Sequence, residues 1–124
     1  MRLHLRPASG GFELYSWFFM RVSGVLLILL VLGHFGYMHL RHGVENIDYR
    51  FVAAQYATPF WRAYDLLLLT LALVHGANGG RTLIDDYIHG RGWRALFLAG
   101  LYTTSFLFLV VGGLIIVTFQ PMGR

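Results

Sequence analysis

Charged residues punctuate this chain at long intervals, and the gaps between them are apolar. From Arg21 to Arg41 the intervening VSGVLLILLVLGHFGYMHL holds no Arg, Asp or Glu, and from Arg94 to Arg124 the chain is again free of charge through ALFLAGLYTTSFLFLVVGGLIIVTF. Crossing a bilayer as a helix takes about 20 mostly apolar residues. Both runs meet that length, the second with enough surplus to tilt. The middle of the chain is less plain. Asp65 to Arg81 is a short uncharged stretch, yet Trp61 to Tyr87 reads as one helix with polar ends, and Thr58 and Pro59 supply a start: an N-cap candidate and a proline in the first turn. The pattern predicts an all-α integral membrane protein, a single domain over 1–124, with three transmembrane helices at roughly 14–40, 59–87 and 93–119.

The connections fit that arrangement. HGVENIDYRFVAAQYATP, between the first two spans, is mixed polar and aromatic and long enough for a short interfacial helix, while IHGRG between the last two is a tight glycine-containing turn. Trp17, Trp61, Tyr64, Tyr87 and Trp93 fall near span ends, where amphipathic rings prefer the membrane interface. A cleaved signal peptide is the alternative for the first run, but the run is too long and no small-residue cleavage site follows it. Arg2, Arg6, Arg81, Arg91 and Arg94, with Arg21 at the start of the first span, lie on one side; Arg41, Arg50, Arg62 and Arg124, diluted by Glu45 and Asp48, lie on the other. The positive-inside rule then places the N-terminus in the cytoplasm and the C-terminus outside.

Composition sharpens this picture. Of the 124 residues 56% are hydrophobic and 13% charged, against about 25% charged in an average soluble domain. Mean hydropathy is +0.57. All ten basic residues are Arg, and the net charge is +4. Such a balance in a soluble protein suggests nucleic acid, but Arg residues set between long apolar runs read as juxtamembrane anchors, with no nucleic-acid partner. The absence of Cys excludes thiol catalysis, disulfides and Cys-ligated clusters. Once the spans are subtracted, too little chain remains for a soluble catalytic domain.

Ionisable groups at membrane depth are costly and tend to mark function. His75 lies near the middle of the second span and shares a helix face with Asn78, Gly79, Thr82 and Asp86, which follow it by 3, 4, 7 and 11 residues. Gly76, Gly79 and Gly80 remove bulk beside the imidazole, leaving either a close helix contact or a slot for a flat cofactor. A neutral imidazole there suits axial ligation of a haem iron; a proton relay and a purely structural hydrogen bond are the alternatives. His34 stands 13 residues beyond Arg21, about 20 Å deeper, and shares a face with Ser23, Leu27 and Leu30. Its depth is comparable with that of His75, about 18 Å from Tyr87. His39 and His42 sit near the outer interface, His4 and His89 in solvent, and none of the four receives a role. Arg81, Asp85, Asp86 and Tyr87 cluster at the cytoplasmic end of the second span, with Arg21 and Ser23 on the same side. Arginines there can bind haem propionates, and Tyr, Ser and Arg can bind quinone carbonyls; the same cluster can also simply fix helix depth. Arg62 and Asp65, three apart, read as a structural ion pair.

These residues resemble a known family. HGANGGRTLIDDY (His75 to Tyr87) looks like the His-x3-Gly-x-Arg-x4-Asp-Tyr stretch of succinate dehydrogenase membrane anchors, and MRVSGVLLILLVLGH (Met20 to His34) resembles the Arg-Val-Ser-Gly start of their first helix. The Asp-Tyr ending is that of the D-type hydrophobic anchor, although the first-helix entry is shared with C-type chains. The resemblance implies half of a heterodimeric anchor bundle of the cytochrome b family. His75 matches the axial haem b ligand, opposite a ligand from the companion anchor. Asp86 and Tyr87 match the quinone site, with Ser23 beside it, and Arg21 and Arg81 the haem propionates, Arg21 also lying near the quinone. Trp17 departs from C-type relatives, which carry a quinone-contacting Ser there. Two-haem relatives place a first-helix ligand near His34; a one-haem complex leaves His34 structural. The implied protein is a non-catalytic subunit of a respiratory succinate:quinone oxidoreductase in the inner membrane of a prokaryote, docking an iron–sulfur and a flavoprotein subunit. Outside that resemblance, a small proton-carrying transport or assembly protein and a haem-free structural anchor remain open.

Overall fold

The computed structural model describes residues 11–120, so Arg2, His4, Arg6 and Arg124 lie outside the described residues. Among the described residues every regular element is a helix. Helix α1 spans Phe12–Phe35 and runs on through a π-helical segment, Gly36–Arg41; α2 spans Tyr49–Tyr56, α3 Pro59–Tyr87 and α4 Arg91–Thr118. The α3 bounds coincide with those expected from Thr58 and Pro59, and the polar connection does fold into a short helix, α2.

Local chemistry explains the breaks. Asp48 caps α2 by accepting the Phe51 N–H at 2.8 Å. Thr58 stands at the N-cap of α3 without a side-chain capping bond; its hydroxyl turns back and donates to Gln55 O at 2.8 Å, closing α2. Pro59 then starts α3, and the two helices meet at 101°.

Two helices, Phe12–Arg41 and Arg91–Thr118, are long and apolar enough to cross a membrane, and a third crossing is counted if the bent α2–α3 pair forms one span. The shortfall at α3 is compositional. Its 29 residues reach about 43 Å, more than a hydrocarbon core of about 30 Å, but polar side chains dilute its apolar face.

Helix α3 packs between α1 and α4. Its contacts with α1 run antiparallel and are polar at each step: Ser16 with Asn78, Ser23 with His75, Tyr64 with the Leu30 carbonyl, His34 with Asp65. The α3–α4 seam is instead closed by small residues. A Cβ on Gly112 would lie 2.8 Å from Leu69 Cδ2, so a larger residue there would make the Leu69 side chain shift. Gly33 serves α1 the same way, since a Cβ would sit 2.7 Å from the Tyr64 hydroxyl that donates to Leu30 O. Burial is inverted relative to a soluble protein. Among the described residues Ser23, Gln55 and Asp65 are buried alongside only two apolar residues, Ala53 and Ile116, while dozens of large apolar side chains face outward. Outward apolar and inward polar groups are what a lipid solvent selects.

The expected Arg62–Asp65 pair does not form. Arg62 donates to backbone carbonyls: Nε to Tyr56 O at 2.6 Å, Nη1 to Ile116 O and Val117 O at 2.6 and 2.8 Å, and Nη2 to Phe119 O at 2.6 Å. Helices leave their last carbonyls unsatisfied, and a planar guanidinium at the end of α4 meets them while opposing the helix dipole. Asp65 goes elsewhere, as the site shows.

Candidate functional site

His75 projects from the middle of α3 toward α1. Its Nδ1 lies 2.7 Å from Ser23 Oγ, and its Cε1 rests against Gly24, where an added Cβ would be at 3.5 Å. Ser23 is 1% exposed. The other ring nitrogen, Nε2, has no hydrogen-bond partner among the described residues and is not buried. An imidazole tied at one nitrogen and open at the other is the arrangement a metal-ligating histidine needs.

Toward the α3 C-terminus, Ser16 and Asn78 exchange hydrogen bonds at 2.9 and 3.2 Å. Beyond them an open cleft of about 390 Å³ is lined by Glu13, Trp17, Arg21 and Arg81, among others. Arg21 lies over the Trp17 ring at 4.9 Å and has no carboxylate partner among the described residues. Arg81 is already engaged: it reaches Asp85 and Asn78, each at 3.4 Å, and sits 5.6 Å from the Phe12 ring. Asp85 is shared with Arg94, whose Nε donates at 2.7 Å, which ties the end of α3 to the start of α4. Arg21 is therefore the freer cation of the two for an anionic ligand.

The structure brings together Arg21 with Arg81, and Ser23 with His75. It does not bring Asp86 and Tyr87 into the same cleft. Both are exposed at the end of α3, Tyr87 to 77%. Ser23, expected beside a quinone, has its hydroxyl on His75 instead.

His34 sits at the other end of the α1–α3 seam. Its Nδ1 is 3.2 Å from Asp65 Oδ1, a charge-pair distance outside hydrogen-bond geometry, so both buried atoms lack a hydrogen-bond partner. Tyr64 stacks beside the ring at 6.5 Å with planes 16° apart. The Tyr56 hydroxyl donates to Asp65 Oδ2 at 2.9 Å. Spacing along one helix suggested Arg62 for Asp65; no local signal pointed to Tyr56 on α2 or His34 on α1.

Burial, then the hydrogen bond to Asp65 and its negative charge, push the Tyr56 phenol up from 10.0 to about 12, with Arg62 pulling the other way. A raised folded-state value means that this group's contribution to stability is complete below the ordinary phenol range and drains away as pH rises through about 12. Alkaline titration of phenolate absorbance is expected to show a late phase that Tyr56→Phe lacks. Retention of that phase in the variant assigns it to another tyrosine.

Among the described residues no three His, Asp or Glu side chains converge on a bare metal ion. A porphyrin iron brings four nitrogens of its own and asks only one imidazole of this chain.

Long apolar helices around a polar, His-containing seam define an integral membrane subunit that buries ionisable groups against its own helices. Residues 1–119 match the family model described as succinate dehydrogenase/fumarate reductase transmembrane subunit, and the chain belongs to that family. It is 29% identical over 112 residues to a succinate dehydrogenase hydrophobic membrane anchor subunit of Archaeoglobus fulgidus, a match covering 90% of this chain and 94% of the relative. Proteins of the same description from Rickettsia prowazekii and Rickettsia typhi are 29% identical over 75 residues, 60% of this chain and 58% of theirs.

Proposed function

We propose that the chain is a D-type anchor of a prokaryotic inner-membrane succinate:quinone oxidoreductase, with α1, α3 and α4 as three spans, the N-terminus cytoplasmic and the C-terminus outside. It pairs with a second anchor subunit and docks the iron–sulfur and flavoprotein subunits on its cytoplasmic face. One observation carries the cofactor reading: His75 is held by Nδ1 while Nε2 stays open. Haem b bound there supplies a one-electron carrier between the docked subunits and the quinone. His75 would offer Nε2 to the iron, and Arg21 and Arg81 would hold the propionates through charge-assisted hydrogen bonds. Tyr87 offers its hydroxyl to a quinone carbonyl, and Asp86 and Arg21 are the further polar groups assigned to the quinone. His34 favours a second reading in part: its Nδ1 faces the Asp65 carboxylate at 3.2 Å without a hydrogen bond and its Nε2 is not buried, so Nε2 could be offered to a second haem.

A reduced-minus-oxidised spectrum of the purified complex tests the cofactor reading, and the absence of b-type bands in the wild type defeats it. For the quinone site, Tyr87→Phe is expected to lower quinone reduction at least severalfold while dye reduction by the dehydrogenase portion persists. Equal loss of both activities reports failed assembly instead, and wild-type quinone reduction in the variant removes Tyr87 from the site.

A further inference from the structure

We propose that Ser23 is a positioning residue for His75: its buried hydroxyl fixes the tautomer and the plane of the imidazole so that Nε2 carries the lone pair. This rests on the reading of His75 as the haem ligand.

A neutral imidazole has one N–H, and a ligating Nε2 requires the proton on Nδ1. Ser23 Oγ, 2.7 Å away, must then accept it. The opposite arrangement, with Ser23 donating to Nδ1, puts the proton on Nε2 and closes that nitrogen to iron. A serine accepts more readily when its own hydrogen is placed elsewhere, and here it has a place: Ser23 Oγ lies 3.5 Å from the Met20 carbonyl one turn earlier in α1. That carbonyl can only accept, so it turns the hydroxyl proton away from the imidazole. The resulting chain runs His75 Nδ1–H to Ser23 Oγ, and Ser23 O–H to Met20 O.

Burial makes this arrangement persistent. Ser23 is the most buried side chain among the described residues, at 1% exposure, and no other described side chain hydrogen-bonds to it. A hydroxyl in such a place is costly unless bonded, and the ring lying on Gly24 leaves it one strong partner. Ser23 and His75 are 52 residues apart, so the bond also fixes α1 against α3 at the ligand's depth.

The test compares Ser23→Ala and Ser23→Thr in the purified complex, with dye-linked succinate oxidation as the measure of assembly. Outer-shell partners of metal-bound histidines contribute roughly 10–100-fold to affinity. Ser23→Ala is expected to release haem to an apoprotein acceptor about 10-fold faster. It should also raise the haem midpoint potential, because the imidazole loses the acceptor that strengthens its donation to ferric iron, and alter the low-spin ferric EPR signature. Ser23→Thr, which keeps the hydroxyl, should retain the wild-type potential and EPR signature. Wild-type release, potential and signature in Ser23→Ala overturn the proposal. Equal change in both variants also overturns it, since packing rather than the hydroxyl is then responsible. Failure of the underlying reading looks different: no b-type haem in the wild-type complex, or an unchanged spectrum in His75→Ala.

Discussion

His75→Ala is expected to abolish the b-type bands contributed by this site while leaving dye-linked succinate oxidation close to wild type. The two effects separate because the imidazole faces the α1–α3 seam, whereas at the C-terminal end of α3 Asp85, Arg81 and Arg94 hold one another independently of it. On the proposed reading the variant would lose the nitrogen offered to the iron, and the alanine leaves Ser23 buried without its main partner. That orphaned hydroxyl adds a cost of about 1–3 kcal/mol, so some loss of thermal stability accompanies loss of the cofactor. A pyridine haemochrome assay on wild type and variant gives the count. With one haem per complex the variant retains none; with a second at His34 it retains half. A variant with undiminished haem removes His75 from the ligand set.

Arg62→Ala is the second large effect. Four carbonyls, one closing α2 and three ending α4, converge on a single guanidinium that also lies 5.6 Å from the Tyr56 ring. Hydrogen bonds to a charged group contribute about 1.5–3 kcal/mol each, though not additively, and alanine leaves part-buried acceptors unmet. We expect a loss of about 3 kcal/mol, read as a lower midpoint for thermal inactivation of the complex in detergent. Arg62→Lys should recover less than half, because an ammonium is a point donor and cannot span carbonyls that a planar fork reaches. Full stability in Arg62→Ala shows that water or lipid headgroups replace the clamp. An Asp65→Asn variant serves as a contrast, since Asp65 makes no bond to Arg62 and its substitution leaves the clamp intact.

Much of the architecture was legible along the chain. Apolar runs without charge marked α1 and α4, and Thr58 and Pro59 marked the start of α3, because helix boundaries are set by residues within a turn of them. The polar stripe in a Leu-rich span marked His75 and Asp86 through its periodicity, and the resemblance of HGANGGRTLIDDY to a family motif singled out Arg81 and Tyr87 beside them. Partner choice was not legible. The local rule that pairs residues three apart assigned Arg62 to Asp65, yet each found a stronger partner on another element: free carbonyls at the end of α4 for the one, Tyr56 and His34 for the other.

The sequence by itself thus determined that the chain is helical, apolar and sparing with charge, which residues sit at depth, and which family it belongs to. The helical and apolar character follows from composition and from intervals of a few residues, and the family from the resemblance of HGANGGRTLIDDY and MRVSGVLLILLVLGH to its motifs. The tertiary structure alone decided that Ser23 faces His75 rather than open space, that Arg94 joins Arg81 on Asp85 while Arg21 has no carboxylate partner among the described residues, and that His34 meets a carboxylate. The Ser23–His75 and His34–Asp65 pairings cross 52 and 31 positions of sequence, and the antiparallel packing of α1 on α3 selects them. No helical period encodes which residues two packed faces will bring together.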